Sequence, residues 1–253
     1  MTQYYVDPGD WTSDPITLSL AESHHLLHVL RKPVGSSISI SDGRGHVGTA
    51  EVIKIENKRS IIHVTQRRSI SVPSFCIMLA QALLKTQKME WFIQKATEIG
   101  VRSIFPVQAE HCVVRFHASQ LDQKRKRWEK VALHAAKQCH SDWIPCIEPI
   151  TPLSHFLDKV PEGMLWMVGS LSPNAIPFQD ALFHEAFGHV SGIGMLVGPE
   201  GDFSSSEQEQ IQKKGLVSVS FGQNILRAET AALYALSIIS HHFSMHSPER
   251  RSF

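Results

Sequence analysis

From Phe75 onward the chain alternates short, almost continuously apolar runs with segments of helical period, and this rhythm constrains its fold most. Phe75-Cys76-Ile77-Met78-Leu79-Ala80 shows no polar–apolar alternation, as expected of a parallel strand covered on both faces. Met89, Phe92, Ile93, Ala96 and Ile99 then recur at helical spacing, with Gly100 as a left-handed stop. Further strands are expected at 103–107, 164–168, 193–197 and 216–221. Helices are expected at about 120–139, 177–187 and 230–243. Such alternation builds an open parallel α/β sheet.

The first seventy residues have a different rhythm. Ser37-Ile38-Ser39-Ile40-Ser41 alternates polar and apolar, Asp42-Gly43-Arg44-Gly45 supplies a turn, and apolar segments at 50–55 and 60–65 follow. Short strands with tight turns imply a compact barrel, with one short helix over 24–31 packed on it and a linker at 67–74. The expected boundaries are a β-rich domain over 1–72 and an α/β domain over 73–253.

A chain of 253 residues can bury about 70–75% of its surface without staples. Its four cysteines form no CxxC pair and are expected to be reduced thiols. The histidines group at His24, His25 and His28 and at His242 and His246, without a neighbouring carboxylate or cysteine at ligand spacing, so no metal is expected. No stretch is long enough to span a membrane, and the N-terminus lacks a signal-peptide pattern, which implies a cytoplasmic protein. The net charge of +1 hides an asymmetry: residues 85–130 hold ten Lys/Arg against five Asp/Glu, whereas residues 180–209 hold six acids and no Lys or Arg. The basic segment suits either a nucleic-acid face or a solvated helix.

Two loops follow apolar runs in the last third. The first is Leu196-Val197-Gly198-Pro199-Glu200-Gly201-Asp202-Phe203; the second runs from Phe221-Gly222-Gln223-Asn224 through Ile225-Leu226-Arg227-Ala228 to Glu229-Thr230-Ala231-Ala232. Open α/β folds bind ligands outside the carboxyl ends of their strands. The glycines allow sharp turns and close backbone approach, so exposed amides there can bond the edge of an adenine or a ribose. Glu200, Arg227 and Glu229 stand among apolar residues, where charges are usually paired or functional. Ser204-x-x-Glu207 is a capping-box signature that opens a helix directly after the first loop. Gly192-Ile193-Gly194 lacks the third glycine of a dinucleotide fingerprint, and neither a Walker motif nor a GxSxG elbow is present.

Together the loops resemble the cofactor-binding signatures of SPOUT methyltransferases, and the chain as a whole is similar to the RsmE family, which methylates N3 of a uridine in 16S rRNA. The resemblance is carried by His25-Leu26-x-His28-Val29-Leu30-Arg31, Gly35 and Asp42-Gly43-x-Gly45, then by 81–89 and 95–101. Glu110-x-Cys112-Val113-Val114-Arg115, Arg127-Trp128 and 135–139 follow in family order. The chain departs from the family's usual residues at Gln3, Ser141, Asp202 and Asn224. The resemblance implies a SPOUT α/β trefoil-knot domain with a parallel sheet, preceded by a small PUA-like β-barrel domain.

It also implies roles. S-adenosylmethionine is expected among Leu196, Val197, Gly198, Pro199 and Gly201 of the first loop, Phe221, Gly222, Ile225 and Leu226 of the second, and Thr230 and Ala231 beyond it. Arg227 is expected to stabilise charge on a base carbonyl, and Glu200 to position the base or accept its proton. The alternative for both is a structural Glu–Arg pair. Arg31, Lys32, Lys85, Lys88, Arg115, Lys124 and Arg125 are expected on RNA phosphates, with simple solvation the competing reading. The implied partners are 16S rRNA or the 30S subunit and a second copy of the chain, with the 230–243 helix as a candidate interface. The competing functions are a SPOUT enzyme acting on another RNA and a non-catalytic RNA-binding or assembly factor.

Overall fold

The computed structural model describes residues 3–183 and 190–244. His246 and the last residues of the helix expected at 177–187 lie outside the described residues. The chain divides into two compact units, one of residues 1–73 with 133–144 and one of 74–132 with 145–253.

In the first unit β1 (Gln3–Tyr5), β2 (Ile16–Thr17), β3 (Ser37–Ser41), β4 (His46–Glu56) and β5 (Arg59–Ser69) form one sheet in the order β1-β3-β4-β5-β2. All pairs are antiparallel except β1 with β3. The β4–β5 hairpin closes through Asn57 and Lys58, both left-handed (φ 49° and 63°), the twist a two-residue hairpin requires. Alternation on β3 sends Ile38 and Ile40 into a core with Tyr4, Leu26, Val52 and Ile62. The expected helix over 24–31 begins earlier. α1 (Leu20–His24) starts at Ser19, whose Oγ accepts from the Glu22 amide at 3.2 Å, and continues as a π-turn over His25–Val29. The expected linker at 67–74 is also shorter. Arg67, Arg68 and Ser69 pair with β4 beyond a bulge, and Arg67 donates to the carbonyls of Trp11 and Ser13. Residues 133–144 belong here because Lys137 donates to the buried Glu22, and the Ile144 amide to Gly43 O at 2.8 Å.

The second unit begins with β6 (Cys76–Ala82), α2 (Thr86–Ile99), β7 (Ser103–Gln108) and α3 (Ala118–Cys139), whose last residues group with the first unit. The short β8 (Cys146–Ile147) and β9 (Thr151–Pro152) lead into α4 (Leu153–Asp158) and β10 (Leu165–Gly169). Then come β11 (Ile176–Pro177), α5 (Phe178–Phe183), β12 (Gly192–Val197), α6 (Ser205–Lys213), β13 (Val217–Ser220) and α7 (Ala228–Ser244). The sheet is parallel throughout, ordered β11-β13-β10-β12-β6-β7-β8 with β9 on β7. Every residue of β12 is buried, which explains its unbroken apolar run. Gly100 caps α2 at φ 95°, as its place in the helical period predicts. The apolar character of α7 has a partner inside the unit: the helix packs on α2 and β12, burying Ala232, Ala235, Leu236 and Ile239 while leaving Tyr234 exposed. A parallel α/β sheet after a small β-rich module is the architecture the sequence implies.

Candidate active site

β10 lies between β12 and β13, so the segments leaving these three strands emerge side by side. They enclose a cleft of about 610 Å³, lined from 169–175, from 197–202 and from 220–231. Its place, outside the carboxyl ends of adjacent parallel strands, is where such sheets bind ligands.

Each wall has a local cause. The first loop is stopped by the capping box read from the sequence: Ser204 Oγ accepts from the Glu207 amide at 3.3 Å and Glu207 Oε2 from the Ser204 amide at 3.0 Å. Within it Asp202 is left-handed, φ 58°, a conformation that Asp tolerates and glycine prefers. His111 Nδ1 donates to the carbonyls of Gly201 at 3.1 Å and Asp202 at 2.9 Å. The second loop turns at Gly222, φ 111°, just after Phe221, which packs edge-on against Phe178 and Tyr234.

Of the eleven residues expected around the cofactor, Val197, Gly198, Pro199, Phe221, Gly222, Ile225, Leu226 and Ala231 line the cleft, and so do Glu200 and Arg227. Leu196, Gly201 and Thr230 are outside its lining. Leu196 is buried within β12 between Val168 and Ala80, and Gly201 turns its backbone to His111. Thr230 is exposed on α7, off the face that carries Arg227, Ala228 and Ala231 at helical spacing. The segment from Gly169 through Ser170, Leu171 and Ser172 to Ala175 forms a third wall that the loop motifs do not reveal. The signal for it was a glycine directly after the apolar run 164–168.

The charges are arranged differently from a Glu200–Arg227 pair. Lys88 Nζ lies 3.3 Å from Glu200 Oε1 and 3.0 Å from Glu229 Oε1. The hydrogen bond that Lys88 donates to Glu229 outweighs desolvation and, with the one to Glu200, raises the Lys88 ammonium above its ordinary range. Burial pushes the Glu229 carboxyl up, but its own amide, Lys88 and Arg227 outweigh this and hold it below the ordinary carboxylate value. The Arg227 guanidinium makes no hydrogen bond or ion pair among the described residues and remains available on the cleft wall.

Most of the expected phosphate ligands already have partners. Lys88 is held by two carboxylates, and Arg125 pairs with Glu129 at 2.9 Å. Lys124 sits 5.2 Å over the Phe116 ring, and Arg115 donates to Glu110 O. Their neighbours in the basic run are engaged too, Lys126 with Asp122 and Arg127 with Glu90. That run is largely a self-paired helix face. Arg31, Lys32 and Lys85 are exposed. Among the described residues no group of three His, Cys, Asp or Glu could hold a metal, and no helix is long and apolar enough to cross a membrane.

The cleft's residues suit S-adenosylmethionine. The backbone at Gly198, the turn at Gly222 and the side chains of Val197, Phe221 and Leu226 offer polar groups and apolar surface suited to an adenosine, and the acidic Glu200 and Asp202 suit a cation. The RNA methyltransferase domain family matches residues 72–240, two-thirds of the chain, and the RNA methyltransferase PUA domain family matches residues 20–65. Ribosomal RNA small subunit methyltransferase E of Mesomycoplasma hyopneumoniae is 32% identical over 182 residues, 72% of this chain and 75% of that protein. This chain belongs to the ribosomal RNA small subunit methyltransferase E family. The Bacillus subtilis member is 29% identical over 224 residues, 87% of each chain. The crystal structure of the Neisseria gonorrhoeae member bound to S-adenosyl methionine superposes with a TM-score of 0.82 at 28% identity, covering 96% of this chain and 98% of that one.

Proposed function

We propose that this protein methylates N3 of a specific uridine in the 16S rRNA of the small ribosomal subunit, using S-adenosylmethionine. The observation that carries this reading is the cleft at three adjacent strand ends with Glu200 and Arg227 together on its wall, in a chain of the methyltransferase E family.

The cofactor supplies an electrophilic methyl group bound to a sulfonium, so the chemistry needs neither a metal nor a covalent enzyme intermediate. Val197–Pro199, Phe221–Leu226 and Ala231 hold and orient it. Uridine N3 carries a proton at neutral pH, and Glu200 accepts that proton as N3 gains the methyl. Arg227 stabilises the negative charge that grows on the neighbouring base carbonyl, where a fixed donor is worth most. A base normally stacked or paired must be drawn out to reach such a site.

The domain over 1–72 would contribute RNA binding through Arg31 and Lys32, and the domain over 73–253 the chemistry, with Lys85 on a phosphate. Lys124, Arg125 and Arg115 add to a positive field rather than act as free donors. The active form would be a cytoplasmic homodimer; support comes from Tyr234, a large apolar side chain exposed on α7.

The test is methyl transfer from labelled S-adenosylmethionine to 30S subunits, naked 16S rRNA and bulk tRNA from an unmodified source. The product is mapped by reverse transcription, because a methyl on N3 blocks Watson–Crick pairing. One stop in 16S rRNA is expected. Label confined to tRNA, or to a ribose that causes no stop, would replace the substrate. No transfer by folded protein would favour a non-catalytic RNA-binding factor.

A further inference from the structure

Lys88 stands on α2, far in sequence from both cleft loops, yet its ammonium joins them. Glu200 belongs to the loop after β12 and lines the cleft, and Glu229 opens α7 two residues beyond Arg227. Glu229 is 9% exposed, and its Oε2 has no hydrogen-bond partner among the described residues. A carboxylate so buried needs a nearby cation. Lys88 is the ion-pair partner of Glu229 among the described residues, with Arg227 contributing at longer range. Glu229 therefore fixes where the Lys88 ammonium sits, and the ammonium in turn fixes one oxygen of Glu200.

We propose that Lys88 is a positioning residue for methyl transfer: it ties the Glu200 carboxylate to the buried Glu229 and so holds the proton acceptor at the cleft wall. This rests on the function proposed above. Two carboxylates around one ammonium keep a net charge of −1, so the group retains a negative charge that can take the uridine N3 proton. The same arithmetic argues against Lys88 as a phosphate ligand. An approaching phosphate would meet two carboxylates, and the Lys88 ammonium between them is already bonded twice. The elevated affinity of Lys88 for its proton keeps the tether charged across the neutral range.

The experiment compares steady-state methyl transfer to rRNA by the unaltered protein, by Lys88→Arg, and by Lys88→Met combined with Glu229→Gln. The second change removes the buried charge that Lys88→Met alone would strand. Each is repeated in a Glu200→Gln background, with melting temperature and calorimetric S-adenosylmethionine binding as controls. The expected result is a kcat reduced about 10- to 100-fold in Lys88→Met/Glu229→Gln, as for a misplaced catalytic group. KM for RNA, fold and cofactor binding should change little. Lys88→Arg should keep most of the activity. In the Glu200→Gln background the Lys88→Met/Glu229→Gln change should cost nothing further, because residues that act as one unit are not additive.

An unchanged kcat overturns the proposal, as does a raised KM for RNA at constant kcat, which is the signature of a phosphate contact. Loss of activity in step with loss of fold or of cofactor binding also overturns it, in favour of a structural brace. So does a full additional loss in the Glu200→Gln background. Absence of transfer by the unaltered protein removes the proposed function and this inference with it.

Discussion

His111 Nδ1 lies 2.9 Å from the carbonyl oxygen of Asp202 and 3.1 Å from that of Gly201. A carbonyl can only accept, so the proton resides on Nδ1, and one ring pins the end of the loop that carries Glu200. His111→Ala should lower stability by about 0.5–1.5 kcal/mol per lost bond and weaken S-adenosylmethionine binding. Paired denaturation and calorimetry measure both. Unchanged cofactor affinity would show that the loop holds its shape without the ring.

Arg227 stands on the cleft wall without an ion-pair partner among the described residues. Arg227→Ala should reduce kcat by about 10²–10³ fold, the cost of losing one donor to a developing oxyanion, with cofactor affinity nearly unchanged. Single-turnover kinetics read this directly, and normal turnover would remove Arg227 from the chemistry.

Gly222 adopts φ 111° with open space where a Cβ would stand. The obstacle to a side chain is therefore the backbone and not a neighbour. Gly222→Ala should cost about 1–3 kcal/mol if the loop keeps its shape. If it relaxes instead, cofactor affinity falls. Melting temperature and binding calorimetry together show which of the two occurs; no change in either would mean that the turn is not required.

Glu229 sets a pH dependence. Its folded carboxyl is below the ordinary value of 4.5, so it contributes stability that is present above the unfolded value and lost as pH falls through the folded one. Unfolding free energy of the unaltered protein should decline on the acid side of pH 4.5, and Glu229→Gln should flatten part of that decline. Urea denaturation from pH 3 to 7, at about one-unit steps across the ordinary carboxylate range, gives the comparison. Parallel curves would mean that Glu229 titrates alike in both states.

Ser204 and Glu207 cap α6 reciprocally. Ser204→Ala should cost about 1 kcal/mol and, because α6 follows the Glu200 loop directly, should loosen that loop as well. Amide exchange over residues 198–207 would show it; protection equal to that of the unaltered protein would contradict the link.

Much of the fold was legible because its signals are local. The unbroken apolar run of β12 reports burial on both faces, Gly100 reports the end of α2, and Ser204 with Glu207 reports the start of α6. The short pieces escaped. β8, β9 and β11 have two residues each, too few to show a period, and the pairing of Arg67–Ser69 depends on a bulge set by β4. The two cleft loops were legible from their glycines and their charges, but not the wall from Gly169 to Ala175, whose residues become cleft lining only through neighbouring strands.

The amino-acid sequence by itself determined the alternation of strand and helix, the two glycine-bearing loops and the acidic and basic residues that stand on them. Each of these depends on neighbours a few positions apart, through backbone sterics and periodic burial. The tertiary structure alone decided that β10 lies between β12 and β13, so that three loops share one cleft. It also decided that Lys88 bonds Glu200 and Glu229 across 112 and 141 positions, and that the basic run of α3 is answered by Glu129, Asp122 and Glu90. Charge pairing acts through space over a few ångströms, and the order in which strands pack sets which charges come that close.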